Sequence, residues 1–364
     1  MKNVLMIGTT NIYGGVGRMI FEFCKNIDKT KIHFDFLYYE DINEREKKLI
    51  DLVGGKFYKI TRYSKSPIKF YKEIVNFYKS HTYDIVHIHA STAMLIMYTL
   101  PVWGSRTKII YHSHCDSVVG FHNYILHIFF RKIVTKYAEK KVAVSKKAAR
   151  FMFGKKNISS SIILKNGIQV DKFMFCEDTY KRIRKELGVK DEFLIGHIGR
   201  FSYQKNQKFL IKVFHNIAKY ESKVCLLLVG NGKDEEMIKR LVLEKGLSDK
   251  VIFYGTSNNV ENLLCAMDCF VFPSNYEGLG IVAIEAQASG LPVVASTKIP
   301  NEAKISDTFI SLSLTEDSID SWTNKILNMK KITIDRKLMN TKIRDSGYDI
   351  VDVSKELEKM YLGI

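Results

Sequence analysis

Short runs of Val, Ile and other apolar residues recur along the whole chain, and helical patterns lie between most of them. These runs are NVLMIG, DIVHIHA, TKIIYHS, KKVAVS, SIILKNG, FLIGHIG, VCLLLVG, VIFYG, CFVFPS and PVVAS. A strand that is apolar at every position, rather than at alternate ones, is typical of a parallel sheet covered by helices on both faces. The pattern therefore predicts an α/β fold built from doubly wound parallel sheets.

The pattern restarts near the middle of the chain. After the segment KNGIQVDKF comes a charged helical stretch, EDTYKRIRKELGV, and then a new strand at residues 193–196. A chain of 364 residues is long enough for two domains. We therefore predict one Rossmann-like domain over residues 1–170 and a second over 171–345. The tail, residues 346–364, has apolar residues at helical spacing, and we expect a helix there that packs across both domains.

The charge of the chain is uneven. The formal net charge is +17, and residues 1–170 carry 28 Lys and Arg against 12 Asp and Glu. Such a basic surface favours phosphates, nucleic acid or an anionic membrane leaflet. Nucleic acid is the least favoured of these, because recognition motifs and stacking platforms are absent from the sequence.

The six cysteines are scattered, without zinc-site spacing, and the first residues lack signal-peptide features, so we expect a cytoplasmic protein.

Two motifs in the first half follow predicted strands. Gly14 and Gly15 lie in a loop after the first strand, where glycine lets a ligand approach the backbone and the next helix offers free N–H groups to an anion. A tight strand-to-helix turn would explain them equally well, and the full dinucleotide fingerprint is absent. His112 and His114 lie at the carboxyl end of the strand TKIIYHS, at the edge where open α/β sheets bind ligands. As a metal pair they lack a third ligand nearby in sequence.

Two motifs in the second half carry charge at the same edge. Arg200 and Lys205 follow the strand FLIGHIG, and two cations in such a loop could both turn toward one diphosphate. Glu277 follows the strand CFVFPS, and Glu285 lies on the next helix among apolar residues. We expect Glu285 to be buried and to need a partner such as a ligand hydroxyl or a cation.

These motifs together resemble those of a known family. The spacing from Glu277 to Glu285 resembles the E-x7-E element of retaining glycosyltransferases of the GT-B architecture, and the spacing from Arg200 to Lys205 resembles their diphosphate-binding pair. The segments GGVG, YHSH, IGRFSYQKN, LLLVGNG and EGLGIVAIEAQASGLPVVAS follow in the family's order. The chain is thus similar to glycosyltransferase family 4, in the branch that builds bacterial capsular or exopolysaccharide repeat units. The resemblance implies two Rossmann-like domains that face a central cleft.

The resemblance also implies roles for individual residues. His112, Arg200, Lys205 and Glu277 would be catalytic: His112 would touch the donor sugar, the two cations would hold the phosphates, and Glu277 would bind sugar hydroxyls. Glu285 would bind the ribose. The remaining donor-binding positions are Gly14, Gly15, Gly230, Gly232, Gly255, Ser257, Asn258, Gly278, Leu279, Gly280, Ile281 and Val282.

The implied reaction transfers a sugar from a nucleotide diphosphate, most simply UDP, to a glycan with retention of configuration. No Asp-x-Asp motif occurs in the sequence, so we expect neither a metal nor another cofactor. A lipid-diphosphate-linked acceptor would bring the basic first domain to the inner face of the cell membrane. The alternative is a non-catalytic partner subunit that keeps the fold and binds sugar nucleotides. An ordinary lysine-rich surface would also explain the charge.

Overall fold

The chain folds into two α/β units. The computed structural model describes residues 1–8, 15–118 and 120–364. One unit comprises residues 1–168 together with 348–364, and the other comprises residues 169–347. The chain therefore leaves the first unit, forms the second, and returns to the first for its last 17 residues.

The first unit contains a seven-stranded parallel sheet with the strand order β3-β2-β1-β4-β5-β6-β7. The strands are β1 (Lys2–Ile7), β2 (Ile32–Tyr38), β3 (Phe57–Lys59), β4 (Ile85–Ala90), β5 (Lys108–Ser113), β6 (Lys140–Ala143) and β7 (Ile162–Ile163). The helices are α1 (Gly15–Asn26), α2 (Glu44–Leu52), α3 (Pro67–Ser80), α4 (Phe121–Tyr137) and α5 (Lys146–Phe153), with 3-10 segments at Ala93–Val102 and Lys155–Asn157.

The second unit contains a six-stranded parallel sheet with the strand order β10-β9-β8-β11-β12-β13. Its strands are β8 (Phe193–Ile198), β9 (Val224–Val229), β10 (Val251–Gly255), β11 (Cys269–Phe272), β12 (Val293–Ser296) and β13 (Phe309–Leu312). Its helices are α6 (Glu177–Glu186), α7 (Gln207–Tyr220), α8 (Glu235–Glu244), α9 (Val260–Ala266), α10 (Ile281–Ala288), α11 (Ile319–Met329) and α12 (Arg336–Ile343), with 3-10 segments at Val170–Phe173, Asn301–Ala303 and Glu316–Ser318.

The last helix, α13 (Ile350–Leu362), follows a π-helical segment at Arg344–Tyr348 and packs in the first unit. Alternate residues of β1 point into two separate apolar clusters, one on each face of the first sheet. The apolar face predicted for the tail, Ile350, Val353, Leu357 and Tyr361, joins the cluster that also contains α1. The structure thus assigns α13 to the first unit, where the sequence led us to expect a helix across both domains.

The strand order reverses once in each sheet, between β1 and β4 in the first unit and between β8 and β11 in the second. At such a switch point the loops on either side run in opposite directions and leave a crevice at the carboxyl ends of the strands, where α/β sheets bind ligands. The two-sheet α/β fold is the one that the apolar runs predicted. In the described part of the chain, no helix is both long enough and apolar enough to cross a bilayer.

Candidate active site

In the second unit, the loops that leave β8 and β11 meet at the switch point. Lys205 lies in the loop after β8 and Glu277 in the loop after β11, and Lys205 Nζ lies 2.6 Å from Glu277 Oε1. The Asn275 N–H also donates to the Gln204 carbonyl oxygen over 2.8 Å, which ties the two loops together. The structure therefore pairs two of the residues that the sequence predicted for catalysis.

The Lys205–Glu277 pair is held in a partly dry environment. The exposed fractions of the two side chains are 17% for Lys205 and 9% for Glu277, and Lys205 Nζ also lies 4.7 Å from the centre of the Phe272 ring. Charges that are shielded from water interact more strongly than those on the surface. Loss of either partner leaves the other charge poorly solvated. The pair is thus a preorganised cation and carboxylate at the edge of the sheet.

Hydrogen bonds of Gln207 and His197 hold the backbone of the loop that carries Arg200. Gln207 Nε2 donates to the Arg200 carbonyl oxygen over 3.0 Å and lies 3.2 Å from His197 Nε2. The other ring nitrogen of His197, Nδ1, donates to the Val271 carbonyl oxygen over 2.9 Å. Burial lowers the pKa of His197 to about 4, so the ring is neutral and can accept through Nε2. The sequence analysis missed His197 and Gln207. The signal that could have found them is that one polar residue precedes the Arg200 loop and the other follows it.

The loops after β8, β9 and β10 approach one another through their backbones. The Gly230 N–H donates to the Gly255 carbonyl oxygen over 2.7 Å. A Cβ atom on Gly230, whose φ is +134°, would lie 2.3 Å from the Gly199 carbonyl oxygen, and a Cβ on Gly232 would lie 2.3 Å from the Phe201 carbonyl oxygen. Only glycine fits so close to a neighbouring backbone. Two of the predicted donor-binding glycines, Gly230 and Gly232, therefore lie beside the loop of Arg200, whose side chain is exposed, and Gly255 lies next to Gly230.

Replacement of Gly230 by alanine is expected to destabilise the second unit, because the new methyl group collides with backbone that cannot turn away. The matched control is Gly246→Ala, at φ +65° but with nothing within 4 Å of the added atom. We expect Gly230→Ala to cost about 2 kcal/mol more of unfolding free energy than the control, measured by urea denaturation. Equal losses in the two variants would show that the close approach at Gly230 relaxes freely.

Helix α10 begins beside Glu277. Its N-cap residue, Gly280, has φ +82° and no side chain with which to cap the helix. The first N–H groups of an uncapped helix are available to an external acceptor, and the helix dipole favours an anion there. Ile281 and Val282 form the start of this helix, and Gly278 and Leu279 precede it.

Glu285 is only half-buried, whereas the sequence led us to expect full burial among its apolar neighbours.

The remaining predicted donor-binding residues lie in other loops. Ser257 and Asn258 follow β10, and Ser257 Oγ accepts from the Asn259 N–H over 3.1 Å. In the first unit, Gly15 is the first residue of α1, and Gly14 lies outside the described residues.

The predicted catalytic histidine lies inside a strand of the first unit. His112 pairs with His89 in the β4–β5 register, and its ring is fully buried. His114 follows the strand, keeps an exposed fraction of 6%, and is bonded through Nε2 to His89 Nδ1 over 3.0 Å. The donor contact expected for His112 stays a prediction. His87 and His89, which the sequence analysis did not single out, lie beside them.

Two family profiles match this chain. The profile described as Glycosyltransferase Family 4 matches residues 13–172, and the profile described as Glycosyl transferases group 1 matches residues 179–345. The two matches together span most of both units.

Individual relatives match over most of the chain. EpsF of Bacillus subtilis strain 168 is 28% identical over 334 residues, which cover 89% of this chain and 87% of EpsF. The UDP-Gal:alpha-D-GlcNAc-diphosphoundecaprenol alpha-1,3-galactosyltransferase of Escherichia coli is 26% identical and covers 82% of this chain and 80% of its own. Among solved structures, Anabaena HepE in complex with UDP superimposes with a TM-score of 0.81 over the whole of both chains, at 18% identity. This last likeness establishes a shared GT-B fold.

Proposed function

Because the chain belongs to the glycosyltransferases, with family 4 and group 1 halves, we propose that it transfers a sugar from a UDP-sugar to a lipid-linked glycan with retention of anomeric configuration. The observation that carries the proposal is the Lys205–Glu277 pair at the β8–β11 switch point, beside the uncapped start of α10. Support for the donor comes from HepE, which was crystallised with UDP and with UDP-glucose.

The donor diphosphate would lie between Arg200 and Lys205. Its charge would give the Lys205 ammonium a second anionic partner beside Glu277, so that Lys205 can turn toward the phosphates without becoming an unpaired buried cation. The start of α10 offers N–H donors on the same side. Glu277 would then accept hydrogen bonds from the sugar hydroxyls.

In the transfer step, the bond between the anomeric carbon and the phosphate oxygen breaks while the acceptor oxygen bonds to the same face of that carbon. The acceptor proton passes to the departing phosphate oxygen, so the step needs no protein nucleophile. Positive charge develops on the sugar and negative charge on the diphosphate. Fixed cations aimed at the leaving group stabilise this charge more in the transition state than in the ground state. Arg200 and Lys205 would carry out that function, and no metal would be needed at the diphosphate.

The proposal is tested with a panel of UDP-, GDP- and dTDP-sugars. We expect one UDP-sugar to raise the melting temperature and to be hydrolysed slowly, at a rate that Mg²⁺ or Mn²⁺ leaves unchanged. Proton NMR of the product formed with a lipid-diphosphate acceptor then gives the anomeric configuration, which should match that of the donor. An inverted product would overturn the retaining mechanism. A folded protein that binds a member of the panel but neither hydrolyses nor transfers any sugar would instead fit the non-catalytic partner subunit.

Helix α4 supports an acceptor presented at a membrane. Four large apolar side chains recur at helical spacing along it and are exposed, with exposed fractions of 81% for Phe121, 47% for Tyr124, 51% for Ile125 and 61% for Phe129. The same face continues into basic residues, Lys132 and Lys136, which are exposed as well. An apolar stripe that continues into lysines is suited to the boundary between acyl chains and anionic headgroups.

Removal of two of these aromatic rings is expected to weaken membrane binding. The double change Phe121→Ser with Phe129→Ser should reduce co-sedimentation with phosphatidylglycerol vesicles by about tenfold or more, because each ring buries apolar area in the interface. The control is Tyr220→Ser, which removes an aromatic ring with an exposed fraction of 74% in the second unit. A double variant that binds like the wild type, or binding that is equally strong to uncharged phosphatidylcholine vesicles, would argue against this surface.

A further inference from the structure

Four histidines of the first unit form one buried cluster at the carboxyl ends of β4 and β5. His87 and His89 are two residues apart on β4 and point to the same face, and His112 is the register partner of His89 on β5. His114 follows at the end of β5. The exposed fractions of the four residues are between 0% and 6%, and neighbouring ring centres lie 4.1 to 5.4 Å apart.

Two of these rings are held through one nitrogen and turn the other nitrogen inward. His87 Nδ1 lies 2.5 Å from the hydroxyl of Tyr361 on α13, and His89 Nδ1 lies 3.0 Å from His114 Nε2. Among the residues that the structure describes, none hydrogen-bonds to Nε2 of His87 or His89, although both atoms are fully buried. Metal-binding histidines characteristically donate their second N–H to such a partner, which fixes the ring and its tautomer.

His112 has no hydrogen-bond partner for either ring nitrogen within the described part of the chain. A neutral imidazole always carries one N–H, so a buried His112 ring leaves at least one donor or acceptor unsatisfied. Buried polar groups are rarely left without a partner, and each exception calls for an explanation such as an ion or a water molecule. The lone pair of the His112 ring is therefore available to an ion or a water molecule.

We propose that His87, His89 and His112 bind one zinc ion, with His114 and Tyr361 as the outer partners that orient two of the ligands. One nitrogen from each of the three rings lies within 4.8 Å of the other two. Zinc bonds to histidine at about 2.0–2.1 Å, which places tetrahedral ligands about 3.4 Å apart. No pair of nitrogens therefore has to close by more than about 1.4 Å, and the His112 ring, which has no hydrogen bond to break among the described residues, can turn about its broad χ2 torsion.

The chemistry of the ligands suits this ion. Imidazole ligands without carboxylates favour zinc and its neighbours over magnesium or calcium. The site lies in the first unit and does not depend on the proposed transfer reaction.

The test uses the full chain without an affinity tag, dialysed free of metal and then titrated with Co²⁺ and Zn²⁺. We expect visible ligand-field bands with Co²⁺, and one zinc per chain by atomic emission after equilibrium dialysis. His112→Asn should retain less than a tenth of that zinc, whereas the control His122→Asn, an exposed position on α4, should retain all of it. A folded wild-type protein that takes up no stoichiometric zinc overturns the proposal.

A second variant covers the case in which His112→Asn does not fold. Tyr361→Phe keeps the aromatic ring in the core and removes only the hydroxyl next to His87 Nδ1. We expect zinc affinity to fall by about 10- to 100-fold, as for other outer partners of metal ligands. Where His112→Asn does not fold, unchanged zinc affinity in Tyr361→Phe would overturn the proposed site, and where it folds, full zinc occupancy in His112→Asn would do so. Zinc uptake is measured without donor, so its result is distinguishable from that of the donor panel, even though His112 is also expected to touch the donor sugar.

Discussion

Glu277→Gln is expected to lower kcat by about 10²- to 10³-fold and to leave UDP binding within about threefold of the wild type. The substitution keeps the size of the side chain and an oxygen acceptor near Lys205 Nζ, so the loop should remain in place. In the proposed donor complex, it removes the negative charge next to the sugar, on which positive charge develops in the transition state. Steady-state kinetics with the donor identified by the panel, together with calorimetric titration of UDP, would separate the two quantities.

The matched control for this prediction is Glu244→Gln, an exposed glutamate on α8 of the same unit. It should change neither kcat nor UDP affinity. If Glu277→Gln reduced UDP binding as much as turnover, Glu277 would serve mainly to hold Lys205 in the apo site, and its proposed contact with the sugar would be wrong.

Arg200→Ala is expected to lower kcat/KM by about 10²- to 10³-fold, or about 2 to 4 kcal/mol of transition-state stabilisation. Arg200 is exposed, and its backbone is held by Gln207, so removal of the side chain should leave the loop and the melting temperature nearly unchanged. The loss would therefore report the missing charge at the leaving diphosphate. It is measured as initial rates at low donor concentration over a range of salt concentrations.

Lys208→Ala is the control for Arg200→Ala, because Lys208 is an exposed cation in the first turn of α7, a few residues along the chain. A similar loss in both variants would indicate that the general positive field of the surface, rather than a clamp on the phosphates, attracts the donor. In that case the effect should also disappear at high salt, since long-range attraction is screened.

The strands were the most predictable part of the fold. Each of the ten apolar runs contains one of the strands, because a strand buried on both faces has to be apolar at nearly every position. Strand β2 lies outside these runs and contains His33 and Asp35. The short strands β3 and β13 carry no such signal. They lie at the edges of their sheets and have only three and four residues, of which most are half-buried or exposed.

Site residues that lie in a loop directly after an apolar run could be predicted from the sequence. Residues that come together only because two strands pair could not. Arg200, Lys205 and Glu277 each follow an apolar run, so their edge of the sheet could be predicted. The histidine cluster depends on the register that sets His112 beside His89, and that register is fixed by the burial of both strands in the sheet rather than by the residues next to either histidine. His112 and His114 therefore lack a third ligand in the nearby sequence, whereas in the folded sheet His87 and His89 of the neighbouring strand lie beside them.

The return of the chain to the first unit at α13 sets an order for folding during synthesis. Residues 169–347 are continuous and can fold as soon as they have left the ribosome, whereas the first unit has most of its sequence early and its last helix only at the end. Until then, the apolar surface that will meet Leu357 and Tyr361 stays uncovered, and His87 lacks its hydroxyl partner. A chain cut short before α13 would thus have a finished second unit and an incomplete first one, with part of its apolar core exposed to solvent.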